Sequence, residues 1–239
     1  MSIWTEGDFE MRYALIGLLG LWAGSAAAQQ AATPAASGQG KPEQARPASM
    51  EEPRAGDHWT WEVHDEITGK LLDSREEVVT EVNATEIAVR FSLVGTTRNA
   101  LRLYDRSWNL KSTSPWTFNP NDGQGIKAPL KVGAGWTFKS EDKNADNHIV
   151  LKRSGTSKVV AQETVTTKAG TFETYKIETS YTSRLANPTV GVNETTVQTW
   201  YAPSIDHWVK KLQVTRVDKH LKTQESIELV DYGRKAGGS

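Results

Sequence analysis

The 239-residue sequence contains no cysteine, and that absence excludes more than any motif in it establishes. No disulfide can staple the chain in an oxidising compartment, and no thiol is available for lipid attachment at a cleavage site. The fold must therefore be stable through its buried core alone. The sequence also lacks an apolar run of the ~20 residues that a membrane-spanning helix needs. Nor does either charge dominate: 28 Lys and Arg stand against 29 Asp and Glu, a formal net charge of −1. That balance argues against nucleic acid as a partner and against a strongly basic membrane-surface patch.

What is present begins with an address. Arg12, the apolar run Ala14 to Trp22 and the small-residue site Ala26-Ala27-Ala28 form the pattern of a secretory signal peptide over residues 1–28. Glu6, Asp8 and Glu10 carry the wrong charge for the start of such a segment, so Met11 is the better first residue. The expected product is exported, periplasmic or secreted, with no membrane span once the signal is cleaved. Residues 29–53 are rich in Ala, Gln, Pro and Gly with few large apolar side chains, and they read as a disordered tether. A single β-rich domain is expected over 54–233, followed by a flexible tail, 234–239.

From Gly56 the pattern becomes short runs of alternating apolar and polar residues rich in Val, Thr, Tyr and Trp. A period of two puts Trp59, Trp61 and Val63 on one face of a strand and His58, Thr60, Glu62 and His64 on the other. Ten further strands are read at 76–82, 85–94, 99–104, 136–141, 148–153, 158–166, 172–181, 195–201, 208–217 and 223–230. Ile67-Thr68-Gly69-Lys70 and Ala169-Gly170 supply turn chemistry. Ser112 to Pro129, broken by Pro115, Pro120, Asn121-Asp122-Gly123 and Gly125, reads as one long irregular loop. The fold class is all-β: antiparallel meanders in a curved sheet, half-barrel or sandwich.

A short echo hints at two similar halves. Arg54-Ala55-Gly56-Asp57-His58-Trp59-Thr60-Trp61 recurs as Lys131-Val132-Gly133-Ala134-Gly135-Trp136-Thr137-Phe138, and each copy is followed by a two-valine strand, Val78-Val79 and then Val159-Val160. The stretch Gln162 to Thr174, with its Ala169-Gly170-Thr171-Phe172 hairpin, precedes Trp200-Tyr201-Ala202-Pro203 and Trp208-Val209-Lys210. In that order these elements resemble exported bacterial β-rich proteins of unknown function, over roughly 133–232. More distantly, the chain is similar to the half-barrels of periplasmic lipoprotein carriers, a likeness that implies a concave face holding acyl chains.

Candidate chemistry is sparse. His58 and Glu62 lie ~13 Å apart along a strand, too far to share one ion, so no metal site is assigned. Ser204, Asp206 and His207 gather three triad residue types within one turn, where His rarely bridges nucleophile and acid, and no Gly-x-Ser-x-Gly elbow is present. No catalytic residue and no cofactor is expected, and the chain is read as a non-enzyme. Tryptophan is the compositional excess, with seven of nine lying beyond residue 28. Those on strands suit a core, whereas Trp108, Trp116 and Phe118 border or occupy the long loop and are the candidates for ligand or partner contact. The expected function is an exported envelope protein that binds a hydrophobic or lipid-like ligand in a sheet groove, with the 112–129 loop at its rim. The alternative is a structural or adaptor module that meets an envelope protein through a sheet edge or the aromatic loop.

Overall fold

The computed structural model describes residues 50–185 and 191–234. The expected signal segment, all but the last four residues of the expected tether and nearly all of the expected tail lie outside the described residues. Twelve strands run in chain order: β1 (Asp57–Asp65), β2 (Leu71–Val82), β3 (Glu86–Leu93), β4 (Asn99–Asp105), β5 (Leu110–Thr113), β6 (Trp116–Asn119), β7 (Gly135–Asn144), β8 (Val150–Thr167), β9 (Gly170–Leu185), β10 (Asn193–Ala202), β11 (His207–Val217) and β12 (His220–Arg234). Each pairs antiparallel with its neighbours in sequence, and β1 pairs with β12, so the sheet closes into an up-and-down barrel. Closure resolves the choice left open between a half-barrel and a sandwich.

The alternation read in β1 is the observed one, since Asp57, Trp59, Trp61 and Val63 are buried and the residues between them are partly exposed. Register carries that face around the wall. Trp59 stands opposite Glu77, Glu77 opposite Phe91, and Val89 opposite Arg102, so all of these point inward. The outer face is polar, as Lys152, Ser154, Thr156 and Lys158 along β8 show. A transmembrane barrel needs the opposite pattern, an apolar outer band, and no described helix is long and apolar enough to cross a membrane.

Two expectations change. The segment 112–129 is not one loop: it contributes the end of β5 and all of β6, two short strands that complete the barrel wall. Pro115 and Pro120 flank β6, and proline at both ends of so short a strand reads as a break in the sequence. The remaining stretch, 120–134, folds across one end of the barrel instead of standing at a rim as a gate. There Asp122 N–H donates to the Leu110 carbonyl (2.8 Å) and Ile126 N–H to that of Ser107 (2.6 Å), while Ile126 and Leu130 pack against Val159, Ile177 and Tyr201. Second, the 148–153 and 158–166 strands are one, β8, because Ser154-Gly155-Thr156 continues the ladder to β9 without interruption.

The same end is sealed from the chain's N-terminal side. Met50, fully buried, donates its N–H to the Ser204 carbonyl (3.0 Å) and joins the main core. Arg234, the last residue of β12, holds Asp57 through Nε (2.6 Å) and its second guanidinium nitrogen (2.8 Å). The long β8–β9 hairpin meanwhile reaches over β11 and β12 to β1, where Lys168 pairs with Glu62 (2.6 Å).

The echo in the sequence is structural. Gly56 and Gly133 share a φ of 92°. Their N–H groups donate to the carbonyls of Val79 and Val159, both at 2.8 Å. A register shift follows each of those valines, between Val79 and Glu81 and between Val159 and Ala161. The likeness extends to the β4–β5 and β10–β11 turns, where Trp108 (φ 59°) and Asp206 (φ 46°) take left-handed conformations. Each of these donates its N–H to the carbonyl three residues earlier, on Asp105 or Pro203, at 3.1 Å. The barrel thus consists of two six-strand halves built on one plan.

A methyl group at Gly133 would meet no atom within 4 Å, so Gly133→Ala reports the backbone alone. It is expected to destabilise the barrel by about 1–2 kcal/mol, read as a lowered urea midpoint at unchanged slope.

Candidate functional site

The barrel interior divides into an apolar part and a charged part. At the sealed end Trp59, Trp61, Trp108 and His207 pack ring against ring, with centroids 4.5 Å apart for Trp59 and His207 and 5.6 Å for Trp59 and Trp108. Trp61 also stacks on Trp208 at 4.3 Å. Trp108 is 8% exposed and gives its Nε1–H to Asp206 (3.1 Å). Its ring therefore belongs to the core. Strand spacing placed Trp59 and Trp61 there, but the turn holding Trp108 gave no such cue.

Next to these rings sits a buried ionic cluster that the sequence reading missed. Glu77 accepts from Arg102 (2.7 Å) and from the Tyr104 hydroxyl (3.1 Å), and Arg102 lies over the Phe91 ring at 3.7 Å. Alternation put Glu77 on the same face as Val79, so an inward carboxylate was the available signal. Burial, opposed by Asp122 and Glu77, pushes the Lys211 ammonium down to about 8. Burial likewise raises the Asp122 carboxyl, with Arg153 and Lys211 acting against it. A second ion pair lies on the inner wall of the other half, where Asp142 takes Arg153 (2.8 Å) and the Ser140 hydroxyl (2.6 Å).

Trp116 and Phe118, on β6, share this inner wall: they stand opposite Asn144 and Asp142, and Arg153 lies 5.6 Å over the Phe118 ring. Both are half-buried, at the end of the barrel away from Trp108, so the structure does not bring the three candidate residues together.

The Ser204, Asp206 and His207 group forms no proton relay. The Ser204 carbonyl anchors Met50. Asp206 accepts from the Tyr201 hydroxyl (2.6 Å) and from Trp108. Nδ1 of His207 accepts from the Trp208 N–H (2.9 Å), and its Nε2 faces Glu77 at 3.8 Å, beyond hydrogen-bond reach. Desolvation first, then Lys211, holds that imidazole well below its usual value, so it is neutral. On the outer wall Glu62 is engaged by Lys168 and lies 3.8 Å from His64.

Open space lies outside the barrel wall. A cleft of about 370 Å³ runs over β9 to β12, lined by Glu178, Ser180, Thr196, Gln198, Leu212 and Gln224 among others. A second, of about 310 Å³, shares Ser180 and Thr196 with it and continues past Ser154 and Glu194 to Arg216. Glu178, Ser180 and Thr196 are exposed and alternate with residues whose side chains are buried, so they belong to the outer face; the buried Thr179 and Val197 form part of the floor of the first cleft. Hydroxyls, amides, carboxylates and one guanidinium share the lining with Val197, Leu212, Val214 and Tyr181; polar and apolar surface are equal in the first cleft and apolar surface is the larger part of the second.

Residues 136–225 match the DUF3108-like family. That span runs from the start of β7 into β12, the second half of the barrel. No curated protein matches the chain. Among solved structures, a lipoprotein candidate from Parabacteroides distasonis shares the fold, with a TM-score of 0.53 at 15% identity over 77% of this chain and 99% of that one. A candidate exported protein with a YmcC-like fold from Bacteroides fragilis gives 0.49 at 16% identity, covering 78% and 100%. The hypothetical lipoprotein YmcC from Escherichia coli gives 0.45 at 13%, covering 77% and 86%.

Two predictions follow from the interior. Arg102→Ala leaves the buried Glu77 without its cation and is expected to cost about 3–5 kcal/mol. Adding Glu77→Gln to that variant should return a large part of the loss in a denaturation double-mutant cycle. The Asp206 carboxyl is raised by burial from 3.8 to about 6. A raised acid contributes stability below its unfolded value, and that contribution is lost as pH rises through about 6. The stability of the wild type relative to Asp206→Asn should therefore fall between pH 4 and 6.5, and a flat difference would rule this out.

Proposed function

We propose that this chain is an exported, non-catalytic binding protein of the cell envelope, whose ligand is a hydroxyl-bearing molecule of the saccharide kind held in the outer cleft. The observation that carries this reading is the cleft itself: Ser180, Thr196 and Gln198 offer donors and acceptors, and Glu178 and Glu194 accept from hydroxyls. The signal-like start of the sequence supports export. The like-folded P. distasonis protein, described as a lipoprotein candidate, agrees with an envelope location.

The interior favours neither of the two functions expected from sequence. An acyl chain needs an apolar volume, and the apolar part of this barrel is occupied by its own Trp59, Trp61 and Trp108 rings. Pairing through a sheet edge needs an unpaired strand, and the twelve described strands close on themselves; contact through the aromatic loop needs exposed rings, and Trp108 is in the core while Trp116 and Phe118 are half-buried on the inner wall. The non-catalytic reading rests on His207 being buried among the Trp59, Trp61 and Trp108 rings and on the half-buried Asp206 being engaged by Tyr201 and Trp108.

Binding should appear on titrating the protein with oligosaccharides released from its own envelope, followed by calorimetry. Thr196→Tyr, at an exposed outward position, fills the cleft without touching the core, and should weaken binding at least tenfold while leaving the melting temperature unchanged. An acyl lipid found by native mass spectrometry of the purified protein, or saccharide binding indifferent to Thr196→Tyr, would overturn the proposal.

A further inference from the structure

Strand order makes the two ends of this barrel chemically different. In an up-and-down barrel every odd-numbered connection, beginning with β1–β2, lies at one end, and every even-numbered one at the other. The even end carries the Met50 anchor, the 120–134 segment and the Trp108 and Asp206 turns, and it is sealed. The odd end carries nearly all the exposed large aliphatic residues among those described. Ile67 (61% exposed) lies in the β1–β2 turn and Leu71 (54%) opens β2, Val94 (53%) lies in the β3–β4 turn, Ile149 (36%) in the β7–β8 turn, and Leu221 (47%) is the second residue of β12. Leu101, 63% exposed, lies two residues inside β4 from the same end. Only Val132 belongs to the sealed end.

These side chains cluster at the tips of four separate hairpins, where polar residues are the norm. Their placement as single projections around a rim does not suit a partner helix, which needs a contiguous groove. It suits a flat interface that receives all the tips at once. The charges beside them point to the same surface. Lys70 adjoins Leu71, Lys219 and Lys222 lie on either side of Leu221, and Arg98 lies in the β3–β4 turn; all four are exposed. Asp65 and Asp218 accept backbone N–H groups, those of Ile67 (2.8 Å) and Val192 (3.1 Å), which fixes their carboxylates against the turns and leaves them charged. Glu66 and Asp146 are the remaining exposed acids of these turns.

We infer that the odd end of the barrel is a docking surface for a bilayer containing anionic phospholipid. The aliphatic tips enter the headgroup–acyl boundary and the three lysines meet lipid phosphates. No strand crosses the membrane, because the wall outside the rim is polar. This is a peripheral contact, reversible and sensitive to salt.

The test is flotation of the chain beginning at Gln29, which keeps the whole barrel and omits the apolar Ala14–Trp22 run, with vesicles of phosphatidylglycerol and phosphatidylethanolamine. The expected result is binding that weakens at least tenfold in I67S/L71S/L221S and falls as salt is raised. V132S, at the sealed end, should bind as wild type. All four substitutions are at exposed positions, and circular dichroism melts confirm that each variant stays folded. Failure of the wild type to float with these vesicles would overturn the inference, as would undiminished binding by the triple variant or equal binding to pure phosphatidylcholine. Saccharide titration of the same triple variant reads the outer cleft separately, so either proposal can fail without the other.

Discussion

The pairing of β1 with β12 is the constraint on which the rest of this structure depends. A twelve-stranded meander without it would leave two long edges with unpaired N–H and C=O groups, open to any other chain. The ladder from Asp57 against Arg234 to Asp65 against Glu225 removes both edges at once. Its near end is fastened by charge: Asp57 is fully buried and acceptor-only, and the Arg234 guanidinium meets both of its oxygens. Everything inside the barrel, aromatic or ionic, relies on that seam to exclude water.

The interior then shows how a chain without cysteine stabilises a large barrel. One part is a ring-on-ring aromatic cluster, where apolar area and edge-to-face contacts add together. Other inward positions carry ion pairs whose carboxylates are also held by hydroxyl groups. Glu77 has Arg102 and Tyr104, and Asp142 has Arg153 and Ser140. Such pairs add little net stability compared with apolar packing, yet each partner is costly to leave alone. They fix which side chains face one another more than they deepen the energy minimum.

Period-two alternation made most of the wall legible, because a strand with one wet and one dry face writes its orientation into neighbouring residues. Trp59-Thr60-Trp61-Glu62-Val63 needed nothing else. The same rule failed at β5 and β6, which span only four residues each and sit between prolines, too short for a period to register. It also gave no access to Trp108, whose burial follows from a left-handed turn meeting Asp206 on a segment 98 residues away. The cleft was invisible for a related reason: Ser180, Thr196 and Gln224 look like ordinary solvent-facing residues, and only the coiling of four adjacent strands makes a concave surface of them.

The two halves share a backbone plan but not a side-chain plan. In the first, inward positions carry Trp59, Trp61, Val63, Ile87, Val89 and Phe91. In the second, many of them carry hydroxyls, among them Ser157, Thr179, Ser183, Thr195 and Thr199. The open clefts lie almost wholly on the second half. A duplicated scaffold permits such a division of labour: one copy holds the dense apolar core, and its twin, which carries the family likeness, presents the open outer surface.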